Sequence, residues 1–383
     1  MKFKDVIGNK ELKQRLLRTT NEGRISHAQM LHGPVGCGNL PLTLAYIQYL
    51  QCEKPGNYDS CGECPSCKKM QNLIHPDLHL VFPIILSQKE KIKTAEDLYD
   101  KWRELIQNNP YASLEDWHNS LESENKQGII SVRESERLIE KLSLKPYEGK
   151  YKFALIWMPE KLRTEAANKL LKIIEEPPED TLFILVTHAP ENVLPTIRSR
   201  TQLLQVPRIH EEDIANYLRL KKNLNDKDAR IISELSDGNL NEAIQQSRNS
   251  DLTDQNTHFN FFVEWMRLVF TNNTIGTIEW VSKISTLNRE EQKQFLRYSL
   301  HILRQALAGN FGAKELVKVT ENEADFLKKF APYLNANNGI QMAEEIEKAI
   351  FHIERNAESK TLFLDLSFIL SSLISKKSEL VYS

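Results

Sequence analysis

Continuous apolar runs and helical periodicities divide the chain into three blocks. In residues 1–205, the apolar runs at 153–158 and 182–187 have the length of strands that are buried on both faces. Between them, the apolar residues of 164–176 share one helical face, and Pro177 ends the helix. A strand, a helix and a strand in this order predict a parallel crossover. We therefore expect an α/β domain with a parallel sheet and helices on both faces.

The other two blocks are predicted to be helical. Residues 206–250 have the periodicity of two or three short helices, and residues 255–383 have apolar positions at helical spacing that predict a bundle. The positions expected in the core of this bundle are Phe262, Trp265, Met266, Val269, Phe295, Leu296, Leu300, Leu303, Phe363, Leu364, Phe368 and Ile369. The charged stretch at about 85–130 is expected to be an insertion on the surface of the first domain.

Length and charge narrow the class of protein. A chain of 383 residues corresponds to about two to three domains. Its 50 Lys+Arg and 52 Asp+Glu give a net charge of -2, which argues against a stand-alone nucleic-acid-binding protein. The charged first residues lack the apolar core of a signal peptide, and the apolar stretch 361–374 is too short to span a bilayer. We expect a cytoplasmic protein with no membrane contact.

Three glycines, Gly33, Gly36 and Gly38, lie close together after a short apolar run. A P-loop has the pattern G-x-x-x-x-G-K-[ST], in which backbone N–H groups hold phosphates, the lysine neutralises charge and the hydroxyl binds Mg²⁺. Here Asn39 replaces the lysine and Leu40 replaces the hydroxyl residue. The pattern predicts a degenerate phosphate loop without its charge chemistry. An ordinary glycine-rich turn is the alternative.

The strand at 153–158 lacks the acidic residue that holds Mg²⁺ in P-loop ATPases. Trp157, Met158 and Pro159 stand where it is expected, and Glu160 comes too late. We interpret Glu160 as a solvated residue at the start of a helix. Two independent losses predict that the chain does not hydrolyse ATP.

Four of the five cysteines, Cys52, Cys61, Cys64 and Cys67, lie within a short segment. Four thiolates suit tetrahedral Zn²⁺, and because they fill every position the site is predicted to be structural rather than catalytic. An iron–sulfur cluster is the chemical alternative, and disulfides are disfavoured in a cytoplasmic chain. Cys37 lies outside this cluster and is interpreted as a buried small residue.

Several short motifs are specific enough to indicate a family. Besides the glycine loop they are FKDVIG at 3–8, GRISHA at 23–28, HPD at 75–77, TEAANKLLK at 164–172, EEPP at 175–178 and PTIRSR at 195–200. With these motifs, most of the first 250 residues resemble the clamp-loader subunits of the AAA+ class. The resemblance implies an AAA+-like P-loop domain at 1–205 with a zinc module at about 52–67, a small helical lid at 206–250 and an oligomerising helical collar at 255–383.

The resemblance also implies a role for one arginine. Clamp loaders bind ATP between subunits, and a Ser-Arg-Cys motif donates an arginine to the nucleotide of the neighbour. Ser199, Arg200 and Thr201 keep the arginine, so Arg200 is the candidate trans arginine finger and Arg198 is the competing choice. An ion pair with a surface carboxylate is the alternative explanation of Arg200.

Two more positions are judged from the resemblance. Active members carry an arginine in the lid that reaches the nucleotide, and Asn241 stands at that position here. Thr187 matches the polar sensor position of the family, but a threonine at the end of a strand also serves as a cap.

Together with the eroded loop, the resemblance implies a non-hydrolysing clamp-loader subunit of the replicative DNA polymerase complex. The partners that the resemblance implies are the clamp-loader ATPase subunits, a delta-type subunit, the sliding clamp and, through the complex, primer-template DNA. Structural Zn²⁺ is the expected cofactor. Two other classes stay open, an active P-loop ATPase such as a motor subunit or DNA remodeller, and a zinc-dependent DNA-binding protein.

Overall fold

The computed structural model of the chain describes residues 1–86, 92–121, 128–248, 253–310, 321–354 and 357–375. It divides into two units, Met1–Asn249 and Ser250–Ser383. The predicted boundary near residue 205, between an α/β domain and a helical lid, stays a prediction. Residues 87–91 and 122–127 of the predicted insertion lie outside the described residues.

A parallel five-stranded sheet organises the first unit. Its strands are β1 (Ala28–His32), β2 (Leu78–Val81), β3 (Lys152–Trp157), β4 (Thr181–Thr187) and β5 (Gln202–Gln205). They lie in the order β2-β3-β4-β1-β5, and each neighbouring pair is parallel. The strands predicted at 153–158 and 182–187, and the parallel crossover between them, are confirmed.

Alternate side chains of the central strands enter two separate cores, one on each face of the sheet. On β3, Leu155 and Trp157 belong to one core, and Ala154 and Ile156 belong to the other. A parallel strand that is buried on both faces needs helices on both sides. The predicted α/β class, with a parallel sheet and helices on both faces, is confirmed.

In the described part of the first unit, eight α-helices lie before or between the sheet strands. They are α1 (Lys10–Asn21), α2 (Asn39–Leu50), α3 (Pro65–Gln71), α4 (Tyr99–Asn108), α5 (Leu114–Ser120), α6 (Val132–Leu142), α7 (Thr164–Glu175) and α8 (Pro195–Arg198). Helix α7 matches the helix predicted at 164–176. It buries Ala166, Leu170 and Ile174, which recur every four residues along one face.

The described part of the stretch at about 85–130, which the sequence predicts to be a surface insertion, buries apolar side chains against the sheet. Trp102 on α4 and Trp117 on α5 are fully buried. Their ring centroids lie 5.0 Å and 5.3 Å from that of Phe82, and Trp117 Nε1 donates a hydrogen bond to the Pro83 carbonyl at 2.7 Å. Most charged residues of α4 are exposed. Residues 92–121 are therefore a layer over the sheet.

Three short helices complete the first unit, as predicted for residues 206–250. They are α9 (Glu211–Lys222), α10 (Asp226–Leu235) and α11 (Leu240–Arg248). Their apolar faces share a small core that contains Ile214, Leu218 and Leu240, and also Tyr111 from the 92–121 layer. This shared core joins the three helices to the layer that covers the sheet.

The described residues of the second unit form the predicted helical bundle. Its helices are α12 (Thr253–Thr271), α13 (Thr274–Ile284), α14 (Arg289–Asn310), α15 (Glu321–Phe330), α16 (Ala336–Glu354) and α17 (Ser359–Ser375). At the centre, the rings of Trp265 and Trp280 stack with centroids 5.1 Å apart. Within the described part of the chain, no helix combines the length and the apolar character that crossing a membrane requires.

The predicted core of the bundle is confirmed on α12 and α14 but not throughout α17. Phe363 is buried, whereas Phe368 is 48% exposed. Ser367 faces inward, because its Oγ accepts a hydrogen bond from Trp265 Nε1 at 2.8 Å, and the next residue therefore turns outward. Two neighbouring predicted core residues are only half-buried, Leu364 and Ile369.

Candidate functional site

The glycine cluster forms the turn between β1 and α2. Gly36 and Gly38 have left-handed backbone conformations, with φ angles of 72° and 88°, that favour glycine. Gly33 is restricted by a close approach instead, since a Cβ atom there would lie 2.2 Å from the Val206 carbonyl oxygen. The chain therefore makes the strand, glycine turn and helix that the sequence predicts.

Asn39, at the position of the P-loop lysine, directs its side chain into the protein. The residue is 2% exposed. Its Nδ2 donates to the Thr187 carbonyl at 3.0 Å, and its Oδ1 accepts the N–H of Leu40 at 2.8 Å. Leu40 is also buried. Asn39 thus links the loop to the end of β4 and accepts a hydrogen bond from the backbone N–H of Leu40. The lysine of a P-loop would instead contact phosphate.

Two further side chains close the inner side of the loop. His188 Nδ1 lies 3.1 Å from the Gly33 carbonyl oxygen and 3.2 Å from Asn39 Nδ2. Burial lowers the pKa of His188, so the ring is neutral at pH 7. Cys37 is fully buried, as predicted, and burial raises its pKa to about 12, which leaves an unreactive thiol. Sequence analysis missed His188, because its partner Gly33 is far away along the chain.

The outer side of the loop is covered by the residues before α11 and by the 92–121 layer. The N–H of Leu240 donates to the Gly36 carbonyl at 3.2 Å. A Cβ atom at Gly36 would lie 1.7 Å from Asn239 Oδ1, and one at Gly38 would lie 3.0 Å from the Tyr111 ring. Protein atoms therefore pack against the glycine loop from both sides.

The end of β3 is apolar and buried, as its sequence predicts. Trp157 is fully buried and Met158 is 2% exposed. The interpretation of Glu160 as a solvated residue is wrong. This residue is half-buried, its Oε2 accepts a hydrogen bond from Thr187 Oγ1 at 2.8 Å, and burial raises its pKa. The short turn after β3 folds Glu160 back against the end of β4 instead of exposing it.

Thr187 and Asn241, the two positions judged from the resemblance, have different surroundings. Thr187 Oγ1 accepts the N–H of Ala189 at 3.0 Å, which is the capping contact that the sequence left open. Asn241 is 4% exposed, and its Nδ2 donates to Asp116 Oδ2 in the 92–121 layer at 2.7 Å. The polar group of Asn241 is therefore bound by the protein itself.

Arg200 follows α8 and makes the ion pair with a surface carboxylate that the sequence left as an alternative. Its Nε donates to Glu175 Oε2 at 2.8 Å, and its Nη1 donates to the Thr196 carbonyl at 3.1 Å. The side chain of Arg200 is 33% exposed and that of Glu175 is 57% exposed. On either side of it, Ser199 and Thr201 bond to backbone carbonyls of the same turn.

Arg200 and the glycine loop lie at opposite ends of two neighbouring strands. Strands β1 and β5 are parallel, with Gln29 opposite Gln202 and His32 opposite Gln205. Arg200 precedes β5, whereas the loop follows β1, so the length of a strand, roughly 10 Å, separates them. Arg200 therefore lies at the opposite end of the strands from the loop of its own chain.

The four cysteines converge at the junction between α2 and α3. The Sγ atoms of Cys52, Cys61, Cys64 and Cys67 all lie within 4.8 Å of one another, and those of Cys61 and Cys67 are 3.8 Å apart. Four sulfurs at about 2.3 Å from a tetrahedral Zn²⁺ are about 3.8 Å apart, so this donor set fits the ion. The cysteines are free thiols rather than disulfides.

Backbone N–H groups point at the sulfurs of this cluster. Cys61 Sγ accepts the N–H groups of Glu63 and Cys64, both at 3.4 Å, and these bonds lower the pKa of Cys61 to about 6. Cys52 Sγ accepts the N–H of Cys61 at 3.3 Å, and Cys64 Sγ accepts that of Cys67 at 3.4 Å. Such bonds favour thiolates, whereas burial raises the pKa of Cys52 and Cys67. The four converging sulfurs can hold a metal ion.

The sequence is similar to bacterial proteins named as subunits of DNA polymerase III. The model of the family described as DNA polymerase III, delta subunit, matches residues 8–210. The chain is 28% identical over 240 residues to the Bacillus subtilis (strain 168) protein named DNA polymerase III subunit delta', covering 62% of this chain and 59% of that protein. It is 26% identical over 306 residues to the Escherichia coli (strain K12) protein of the same name, covering 80% and 77%.

A protein with a different subunit name matches a shorter part. The Mycobacterium tuberculosis (strain ATCC 25618 / H37Rv) protein named DNA polymerase III subunit gamma/tau is 27% identical over 199 residues. This match covers 52% of this chain and 27% of that protein. The similarity to the gamma/tau protein therefore concerns a minor part of its length.

Proposed function

Since the chain belongs to the family described as DNA polymerase III, delta subunit, we propose that it is a clamp-loader subunit that does not itself hydrolyse ATP. In the replicative DNA polymerase complex it completes the ring of ATPase subunits, supplies Arg200 to the nucleotide of a neighbour and assists loading of the sliding clamp on primed DNA. The observation that carries the proposal is the buried side chain of Asn39 at the lysine position.

Phosphoryl transfer requires positive charge next to the phosphates and a bound Mg²⁺. Asn39 has no charge, and both ends of its amide bond to the protein. Leu40 has no hydroxyl for Mg²⁺, and the end of β3 has a buried Trp157 where an acidic residue would hold the ion. Each part of the site therefore lacks a group that the reaction needs.

Arg200 has the exposure and the position that a trans finger needs. It lies at the opposite end of the strands from its own glycine loop, and a third of its side chain is exposed. Exposed ion pairs contribute little to stability. The contact with Glu175 would therefore be exchanged readily for a phosphoryl group on a neighbouring subunit, where an arginine stabilises developing negative charge.

The four cysteines would hold a structural Zn²⁺. Zn²⁺ supplies a fixed tetrahedral crosslink with no open position for water or substrate when four thiolates bind it. Cys52 follows α2 and Cys64 precedes α3, so such a crosslink would fix the loop that joins these helices. The module supports the fold, and we assign it no catalytic role.

The proposed partners are the clamp-loader ATPase subunits, a delta-type subunit and the sliding clamp, with primer-template DNA reached through the complex. The net charge of -2 supports indirect contact with DNA, because strong binding by a single chain needs a positive surface. A subunit without its own nucleotide chemistry acts through its neighbours.

The test is Arg200→Ala in a clamp loader reconstituted with its ATPase subunits. Hydrolysis at the site that Arg200 serves should fall by about 1,000-fold, with unchanged assembly by gel filtration. Arg198→Ala is the matched control, because it removes the neighbouring arginine of the same turn. Unchanged hydrolysis in Arg200→Ala would reject the finger, and a loss confined to Arg198→Ala would transfer the role. ATP hydrolysis by the purified chain alone would reject the non-hydrolysing assignment.

A further inference from the structure

Residues 109–116, which comprise the turn after α4 and the first residues of α5, lie where the glycine loop meets helix α11. We propose that this segment is a built-in occupant of the loop. It fills the space in front of Gly38 and ties α11 to the loop, so that no nucleotide is needed to hold the two together. The proposal does not depend on the role of Arg200.

Tyr111 makes the first connection. It is 7% exposed, and a Cβ atom at Gly38 would lie 3.0 Å from its ring. Its hydroxyl accepts the N–H of Ile7 at 2.8 Å, and its ring belongs to the core formed by α9, α10 and α11. One side chain therefore contacts the loop, the N-terminal segment and the three-helix core.

Asn109 and Asp116 make the second connection, to α11. Asn109 Nδ2 donates to Asn241 Oδ1 at 2.6 Å, and Asn241 Nδ2 donates to Asp116 Oδ2 at 2.7 Å. The other carboxylate oxygen of Asp116 accepts Gln245 Nε2 at 2.9 Å. Because Asn241 is buried, opening this contact would leave polar groups without partners, which is costly.

The start of α11 also touches the loop directly, through the bond from Leu240 N–H to the Gly36 carbonyl. An open phosphate site presents free backbone N–H groups to its ligand. Here the Tyr111 ring lies where a side chain on Gly38 would project, and Asn239 Oδ1 lies where one on Gly36 would project. A ligand could approach Gly36 or Gly38 from this side only by displacing residues that connect three parts of the unit.

Hydrogen exchange of the full chain, followed by mass spectrometry, tests this connection. Asn241→Ala removes both side-chain bonds to the segment, so exchange in 240–248 should rise about tenfold. Gln245→Ala removes one bond and should raise it a few fold. Gln246→Ala is the matched control, because the hydrogen bond of Gln246 goes to Glu242 within the same helix. Exchange in 240–248 should then stay within twofold of the unmodified chain.

Two results would overturn the proposal. One is equal exchange in 240–248 for Gln245→Ala and Gln246→Ala, a comparison that holds even if the buried Asn241→Ala folds poorly, since both glutamines are half-buried. The other is protection of residues 36–42 by Mg²⁺-ATP in the unmodified chain, because the loop would then be open. Neither result depends on hydrolysis by the assembled complex, so each is separable from failure of the arginine finger.

Discussion

The glycine loop and the cysteine cluster lie at the two ends of α2. Protein side chains pack against the loop and bond to its polar groups, whereas the sulfurs of the cluster converge on one point. In the loop, Asn39 Oδ1 accepts the N–H of Leu40, and Tyr111 and Asn239 pack against Gly38 and Gly36. In the cluster, four sulfurs converge within 4.8 Å and receive backbone N–H groups that favour thiolates. The spacing of a motif predicts its geometry, but only the surroundings decide whether its polar atoms remain available to a ligand.

The largest effect is expected from removing one sulfur of the cluster. Cys67→Ser should reduce the bound metal from about one ion per chain to near zero, because a structural site needs all four ligands. It should also lower the free energy of unfolding by about 3 kcal/mol or more, since metal binding contributes to folding. Metal analysis of the purified protein and denaturant unfolding measure the two quantities.

Cys37→Ser is the control for this change, because it alters a buried cysteine outside the cluster. Its metal content should equal that of the unmodified protein. If the metal analysis finds iron and the protein absorbs visible light, the cluster holds iron and sulfur rather than zinc. If the purified unmodified protein contains no metal, the assignment of the four cysteines as a metal site is wrong.

Asn39→Lys tests whether the loop lacks only its lysine. Because Asn39 is buried and bonded at both ends of its amide, a lysine there would lose these bonds and bury an unpaired charge. We expect a loss of about 3 kcal/mol in the free energy of unfolding and no binding of a fluorescent ATP analogue. Asn108→Lys, at an exposed position, should leave both quantities unchanged. ATP binding by Asn39→Lys with full stability would show that the loop is still open.

Sequence patterns predicted the parts of both sites that depend on neighbouring residues. The spacing of the cysteines and the replacement of lysine by Asn39 are visible without a structure. The bonds from Asn39 to Thr187 and from Asp116 to Asn241 are not, because they join residues more than 100 positions apart. Trp102 was hidden in a charged stretch for a related reason, since only one face of its helix is apolar.

The interpretation of Glu160 as a solvated residue fails for the same reason, because its partner Thr187 is distant in the sequence. The burial of Glu160 also predicts that the stability of the chain depends on pH. Burial raises the pKa of Glu160 above its usual 4.5, so the folded state disfavours its charged form. The neutral carboxyl costs nothing below pH 4.5, and stability is lost as the pH rises through the folded pKa. Glu160→Gln should therefore be more stable than the unmodified chain at pH 7, by about 1 kcal/mol at most, and equal to it at pH 4.

Denaturant unfolding at several pH values measures this difference. Glu165→Gln is the control, because Glu165 is exposed. It should show the same difference from the unmodified chain at pH 7 and at pH 4. A Glu160→Gln protein that is less stable at pH 7 than at pH 4, relative to the unmodified chain, would mean that the charged carboxylate is stabilised there.

The smallest effect is expected at Glu175. It decides whether the Arg200 side chain is available to a ligand, as the cysteine sulfurs are, or is held by the protein, as the Asn39 amide is. If Arg200 is available to a neighbour, its exposed pair with Glu175 should contribute no more than about 0.5 kcal/mol to stability. Glu175→Gln should then leave the free energy of unfolding within that limit and should not lower ATP hydrolysis by the reconstituted complex. The adjacent exposed Glu176→Gln is the matched control. A loss of hydrolysis in Glu175→Gln that Glu176→Gln does not share would instead make Glu175 a residue that positions Arg200.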